Sequence, residues 1–216
     1  MGEQLASAQG YTLAAESLSA QILLADVDKI SKRAKQARAL ALQALALEPM
    51  LYEAQLQYAL ADGFVTRSAS PLMVWRKKLP QKTYAKIDNF RTAYPGDARG
   101  MALAGAWHLA IIRKVGHKNG AKWYDASLGE GLKLYEQAAL RAPQDIVLQT
   151  NYAFELYALD ADIYSEKTKG LLEGAAELTP KSELETRVQK IAAQVLAGLN
   201  EPRRAKKLAE DFLDGK

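Results

Sequence analysis

The sequence predicts an all-α protein, a right-handed α-solenoid in which consecutive antiparallel helix pairs stack along the chain. Its composition favours helix, since only 14 glycines and 7 prolines interrupt 216 residues that are 49% hydrophobic and 25% charged. Ala, Leu, Lys, Glu and Gln dominate, and these residues lose least on entering a helix. Four prolines follow amphipathic segments of similar length, and small residues recur at fixed distances before them. Such spacing is typical of helices that lie close together.

The four proline-terminated segments are predicted to be the second helices of four pairs. Proline cannot continue a helix and tends to fall just beyond one. The segments cover 37–49, 84–95, 131–143 and 168–180, and the first helices are expected at about 4–25, 51–65, 98–114 and 146–159. A capping box at Ser182 and Glu185, Gly198 and Pro202 predict a last, capping pair. The whole is expected to be one repeat domain over 1–216, with pairs at about 4–49, 51–95, 98–143, 146–180 and 182–214.

Positions twelve, eight and five residues before each proline carry the packing signal. In the tetratricopeptide pattern the outer two are small and the middle one is bulkier, because the second helix lies close against the first. The residues at these positions are, in chain order, Ala37, Ala41 and Ala44; Thr83, Ile87 and Phe90; Gly131, Tyr135 and Ala138; and Thr168, Leu172 and Ala175. Three sets keep the small positions. Phe90 breaks the rule, so the second pair is expected to be degenerate or to pack differently.

Several further motifs belong to this pattern: Ser70-Pro71-Leu72, Gly105-Ala106-Trp107-His108-Leu109, Tyr124-Asp125-Ala126-Ser127 and Asn151-Tyr152-Ala153. Through them the chain resembles tetratricopeptide-repeat (TPR) proteins, most of all the irregular, exported alphaproteobacterial kind, over most of its length. The resemblance implies about four to five TPR-like helix pairs. The prolines depart from the regular period of about 34 residues, being 46, 48 and 37 residues apart from Pro49 to Pro180. The extra residues form inserts at 70–79 and 116–127, which are expected to line or cover a groove. In the first insert, Ser70 is expected to cap a short helix that Pro71 opens and Pro80 stops.

No catalytic, cofactor or metal motif is found, so the sequence predicts a protein that is not an enzyme and needs no cofactor. There is no cysteine, and His108 and His117 do not belong to a His-Glu-x-x-His pair. Glycine-rich phosphate loops and Gly-x-Ser-x-Gly elbows do not occur. Asp160 and Asp162 resemble the start of a calcium loop, but Ser165 stands where glycine is needed. A capped turn between helices is therefore expected there.

The net charge of +4 and pI of about 9.1 do not indicate a nucleic-acid partner. The basic residues fall into three clusters interspersed with apolar residues at helical spacing, and we expect these to be solvated helix faces. The clusters are Lys32, Arg33 and Lys35; Arg76, Lys77 and Lys78; and Arg113, Lys114, His117, Lys118 and Lys122.

Candidate partner-binding residues are the polar and aromatic positions of the predicted first helices and of the second insert, because first helices form the concave face of such solenoids. They are Gln55, Tyr58, Trp107, His108, Lys122, Trp123, Tyr124, Asn151, Tyr152 and Glu155. For four of these residues, a structural role is an alternative to partner binding. Trp107 and Tyr152 fit core packing better, His108 equally fits a buried histidine, and Asn151 equally fits a bond to a neighbouring helix turn. Trp123 and Tyr124 beside Lys122 have less reason to serve a helix core.

The predicted function is a protein-interaction scaffold that holds a peptide or protein segment, acidic or C-terminal, in a concave groove. The alternative is a small-molecule-binding accessory protein of a solute transport system. No stretch reaches the roughly 20 apolar residues of an integral membrane helix. The start at Met1 lacks the layout of a secretory signal, so the periplasmic location that the resemblance suggests is an expectation that requires a leader to have been removed.

Overall fold

The computed structural model describes residues 7–24 and 29–215, and within these ranges the chain is all-α, with eleven helices and no strand. The ends of the predicted first helix, residues 4–6 and 25, lie outside the described residues. The helices are α1 Ala8–Leu23, α2 Ile30–Leu47, α3 Tyr52–Arg67, α4 Pro71–Lys77, α5 Leu79–Ala93, α6 Ala98–Tyr124, α7 Leu128–Arg141, α8 Ile146–Leu159, α9 Ala161–Glu177, α10 Glu183–Ala197 and α11 Pro202–Asp214.

The proline-terminated segments are helices, as predicted. They form α2, α5, α7 and α9, and each ends two or three residues before its proline. The positions twelve, eight and five residues before the proline are buried in all four helices, including the irregular set in α5. Spacings of four and three residues place these positions on one helix face. The pattern therefore identifies the face that each helix buries.

In the third predicted helix pair, α6 and α7, a glycine allows the two helices to pack closely. A Cβ atom added at Gly131 of α7 would lie 2.8 Å from Cδ2 of Leu109 and 3.0 Å from Cβ of His108, both on α6. No larger residue fits there without moving a neighbouring side chain. The small residue twelve positions before Pro143 thus has the physical role that the pattern assigns to it.

The described helices divide into two compact units, one up to Pro95 and one at Gly96–Asp214. In the first, α3 packs against α1, α2 and α5, while α4 packs chiefly against α5. The irregular Phe90 belongs to an aromatic cluster, with its ring centroid 5.5 Å from that of Tyr52 and 5.0 Å from that of Tyr94. This cluster takes the place of the close contact between small residues seen elsewhere. The prediction of a single domain over 1–216 stays a prediction.

In the second unit, α8 is the central helix. It packs against α6, α7, α9, α10 and α11, and eleven of its fourteen residues are buried. The last helix, α11, packs more extensively on α8 than on its chain neighbour α10, with the rings of Phe154 and Phe212 in edge contact at 5.2 Å. A helix that is mostly apolar and buried on nearly every side, as α8 is, is expected only where other helices enclose it.

Several predicted helix ends are confirmed, whereas two predictions for the first insert are wrong. Ser182 Oγ accepts the Glu185 amide at 3.1 Å, Gly198 follows α10, and Pro202 opens α11. The turn at Asp160 is capped by its own carboxylate, which accepts the amides of residues 162 and 163 at 3.0 Å.

In the first insert, Ser70 precedes α4 but makes no capping bond with its side chain. Pro80 does not stop α4, which ends earlier because Lys78 adopts a left-handed φ of 50°. Pro80 instead lies in the first turn of α5, where its missing N–H costs nothing. Within the described ranges, none of the helices has the length and apolar character that crossing a membrane requires.

Candidate functional site

The second insert is an extension of α6 rather than a loop. The helix continues to Tyr124 with one break at Gly116, where φ is 77° and ψ is 165°. This backbone region is open essentially to glycine alone. Beyond the break, a Cβ atom added at Gly120 would lie 2.8 Å from Cδ1 of Ile112, so the extension packs tightly against α6 itself. Asp125 closes it in a left-handed conformation.

The extension carries exposed side chains of three kinds: a histidine, two lysines and an indole. His117, Lys118 and Lys122 are exposed, and Trp123 is 54% exposed. Lys118 and Lys122 are four residues apart and share a face. We call His117, Lys118, Lys122 and Trp123 the extension surface. Tyr124, also predicted as a contact, is half-buried.

Trp107 and His108, predicted as groove residues, are part of the packing of the second unit. Trp107 is 8% and His108 4% exposed, and their rings meet edge to face with centroids 5.1 Å apart. His108 Nδ1 accepts the backbone N–H of Ser127 at 3.3 Å. Because Ser127 is the N-cap of α7, His108 helps to fix the start of that helix. This arrangement matches the alternative of a buried histidine.

Tyr152 also lies in the interior, stacked on Tyr135 with centroids 4.7 Å apart and an interplanar angle of 10°. The Lys167 ammonium lies 5.2 Å from the Tyr152 ring centroid and pairs with Glu136. Burial raises the pKa of Tyr152, although Lys167 acts in the opposite direction. The neighbouring Asn151 donates to the Val147 carbonyl, one turn earlier in its own helix, at 2.8 Å.

Glu155 belongs to a buried ionic cluster in the second unit. Its carboxylate lies 3.7 Å from Nε of Arg113, and Arg113 is 3.4 Å from Asp214 on α11. Lys114 lies 3.5 Å from the same Asp214 oxygen. The cluster thus joins α6, α8 and α11. The sequence pattern singled out Glu155 but missed Asp214, since the pairing of Arg113 with Asp214 spans 101 residues.

In the first unit, Gln55 and Tyr58 lie half-buried on α3. Gln55 Nε2 donates to the Pro49 carbonyl at 2.7 Å. Tyr58 lies beside a polar cluster around buried Asp62, and the Lys86 ammonium is 5.5 Å from its ring centroid. Burial raises the pKa of Tyr58, and the negative charge of Asp62 adds to this rise.

Asp62 itself was missed by the sequence pattern. It is 4% exposed and pairs with Arg38 at 3.0 Å and Lys86 at 3.2 Å. It also accepts from the Thr83 hydroxyl at 2.8 Å. With cations and a hydroxyl around it, Asp62 connects α2, α3 and α5.

Within the part of the chain that the structure describes, no group of three or more acidic, His or Cys side chains is placed to hold a metal ion. Comparison with known proteins gives no family for the chain: no protein-family model matches its sequence, and no curated protein matches it either. Of the ten predicted contacts, Lys122 and Trp123 are the two whose side chains are exposed, and both lie on the extension surface.

Proposed function

We propose that this protein is a non-enzymatic interaction scaffold, a right-handed solenoid of TPR-like helix pairs that binds a segment of a partner protein. The repeat character is supported by the four proline-terminated helices and by the common buried face in each of them. That regularity is typical of helical-repeat proteins, which present extended binding surfaces.

The observation that carries the proposal is the exposure of Trp123. Large aromatic side chains in the second unit are otherwise used in packing, as Tyr135, Tyr152 and Trp107 are. Trp123 instead keeps 54% of its surface in solvent. Tryptophan is among the residues most enriched at the energetic centres of protein interfaces. An exposed indole on a rigidly packed helix is a suitable anchor for a partner.

The charges beside Trp123 indicate the chemistry of that partner. Lys118 and Lys122 lie on the same face of the extension, and both are exposed. A segment with acidic side chains or a terminal carboxylate would pair with these ammonium groups, while an apolar side chain of the partner would pack on the indole. The partner is therefore an acidic or C-terminal peptide segment of another protein.

The contact surface proposed is narrower than the groove that the sequence predicted. Trp107, His108, Tyr152 and Glu155 are buried and make contacts within the second unit. They stabilise the second unit, and the extension surface makes the contact with the partner.

Site-specific photo-crosslinking in the native host tests this function. A photoreactive residue in place of Ala121, which is exposed between Lys118 and Lys122, is expected to crosslink to a defined partner that mass spectrometry identifies. The same residue in place of Leu140, which is 82% exposed on α7, is the control. Equal crosslinking from both positions, or none from position 121, would count against the proposal.

The small-molecule alternative requires Trp107 and Trp123 to line one enclosed, aromatic cavity. Trp107 is packed inside the second unit, whereas Trp123 is largely in solvent. The proposal of a protein partner therefore fits the exposure of these residues better. A periplasmic location remains part of the proposal, and the native gene upstream of codon 2 tests it directly.

A further inference from the structure

The short helix α4 is the most exposed apolar element of the first unit. None of its seven residues is buried. Trp75 is 74%, Leu72 63% and Met73 37% exposed. A helix this short does not persist alone in water, and it is held chiefly by its contact with α5. The apolar side chains of α4 thus project outward from a supported helix.

The surroundings of α4 are strongly basic. Between Asp62 and Asp88 the sequence contains no acidic residue but six basic ones: Arg67, Arg76, Lys77, Lys78, Lys82 and Lys86. Lys86 pairs with Asp62, and Arg67 lies over the Phe64 ring at 4.9 Å. The other four are exposed. The whole chain has a formal net charge of +4, so the six positive charges of this segment exceed the net charge of the entire protein.

We propose that α4 is a peripheral membrane-docking element that binds an anionic lipid surface. Leu72, Met73 and Trp75 would insert at the level of the lipid headgroups, where tryptophan is favoured. Arg76, Lys77, Lys78 and Lys82 would face the lipid phosphates. Apolar insertion and attraction to anionic lipid together are what hold interfacial helices on a bilayer.

The combination of side chains favours a lipid surface over other polyanions. A nucleic acid would use the cations, and a base could stack on Trp75, but exposed Leu72 and Met73 have no role against phosphate and sugar. A second copy of this chain would bring a surface of the same positive charge, which opposes association through α4. A bilayer rich in anionic lipid accommodates both the apolar and the basic groups at once.

Vesicle binding by the full chain tests the proposal. The protein is expected to sediment with vesicles in which a third of the lipid is phosphatidylglycerol, and much less with vesicles of phosphatidylcholine alone. Each cation lost is expected to weaken vesicle binding roughly fivefold. The charge-reversal variant Arg76→Glu with Lys77→Glu is therefore expected to weaken it by at least about twentyfold. Lys32→Glu with Arg33→Glu, exposed on α2, makes the same change in net charge and is expected to weaken binding far less.

The apolar contribution is tested separately. Leu72→Ser with Trp75→Ser is expected to abolish most vesicle binding, whereas Leu13→Ser with Met50→Ser, at positions that are 65% and 70% exposed, is expected to retain it. Circular dichroism melting curves confirm that each variant is folded before binding is compared.

Fluorescence shows whether α4 itself enters the bilayer. The chain has three tryptophans, and in a Trp123→Phe variant Trp75 is the exposed one, since Trp107 is buried. Anionic vesicles are expected to shift its emission to shorter wavelength, and lipids brominated on the acyl chains are expected to quench it. The proposal is overturned if neutral and anionic vesicles bind equally. It is also overturned if the Lys32 and Arg33 reversal is equally damaging, or if Trp75 emission is unchanged while the protein is bound.

Discussion

Gly105 of α6 lies directly against the ring of Tyr135 in α7, so that a Cβ atom at position 105 would be 2.8 Å from Cδ2 of Tyr135 and 3.0 Å from the Gly131 carbonyl oxygen. Tyr135 is 2% exposed and stacked on Tyr152, and thus cannot move aside without disturbing the core. The two helices approach this closely because glycine occupies the contact.

Gly105→Ala is therefore expected to lower the free energy of unfolding by about 1–3 kcal/mol, the usual cost of overpacking a filled interior. Urea denaturation measures it. Gly170→Ala in α9 is the matched control, because a Cβ atom there meets nothing within 4 Å. The control is expected to be stabilising by roughly 0.5–1 kcal/mol, as alanine restricts the unfolded chain and favours helix. Equal destabilisation by both would show that the close contact is unimportant.

Asp62 is expected to be the most sensitive carboxylate of the first unit. Asp62→Ala removes the partner of two cations and of the Thr83 hydroxyl, and should cost about 2 kcal/mol, less than for a fully buried pair because Arg38 and Lys86 reach solvent. Thermal and urea unfolding measure this loss. Asp88→Ala removes an exposed ion pair with Arg91 and should change stability by less than about 0.5 kcal/mol. A similar effect of the two substitutions would contradict the role given to Asp62.

The free energy of unfolding is expected to fall at alkaline pH because Tyr152 and Lys167 lose their protons there. Burial raises the pKa of Tyr152 above its ordinary 10.0. Desolvation would lower the pKa of Lys167, but its interactions with Glu136 and Tyr152 outweigh it, and the pKa is raised above 10.5. Both shifts favour the protonated form in the fold, so their stabilisation is present below the unfolded pKa values and is lost as the pH rises through the folded ones.

Urea midpoints measured from pH 8 to 11 test this dependence. The wild type is expected to lose stability from about pH 10 upward, and Tyr152→Phe, which cannot ionise, is expected to show a smaller loss. Tyr157 stays in the variant and also has a pKa raised by burial, so some decline should remain. An unchanged slope in Tyr152→Phe would rule out its contribution.

Glycine is expected to be required at position 116 because of its backbone conformation, and not because a side chain there would clash with a neighbour. A Cβ atom at position 116 would touch nothing within 4 Å, but the residue has a φ of 77° and a ψ of 165°. Alanine there should cost on the order of 1–3 kcal/mol, whereas Gly174→Ala, equally open but without a positive φ, should not destabilise. Acrylamide quenching of Trp123 is a second measurement, made in a Trp75→Phe background where Trp123 is the exposed tryptophan, since a displaced extension would change its accessibility. If both alanine variants keep wild-type stability, the break at Gly116 is not a constraint.

The sequence allowed the helices and their buried faces to be predicted because both depend on local spacing. A proline cannot continue a helix beyond its first turn, and offsets of twelve, eight and five residues select one helix face in any context. The irregular Phe90 was also recognised from its position, although its aromatic partners Tyr52 and Tyr94 were not. Their meeting requires the tertiary arrangement of the first unit.

The site was harder to predict because residue type does not tell which side of a helix is covered. Tyr152 and Glu155 have side chains suited to binding, yet α8 is enclosed by five other helices. Arg113 was grouped with its neighbours as a solvated basic cluster, whereas it is 11% exposed and paired with Glu155 and Asp214. The exposure of Lys122 and Trp123 could be predicted because they lie in an insert, outside the apolar helix faces that pack together.

Titration calorimetry with the partner identified by crosslinking at position 121 is the most direct test of the proposed function. Trp123→Ala is expected to weaken binding by about thirtyfold, the effect of losing an interface anchor, and Lys118→Glu with Lys122→Glu should weaken it comparably. Leu140→Ala and Lys190→Glu, both exposed in the second unit, should bind as the wild type does. Wild-type affinity in the Trp123→Ala and the double lysine variants would contradict the assignment of the extension surface as the binding site.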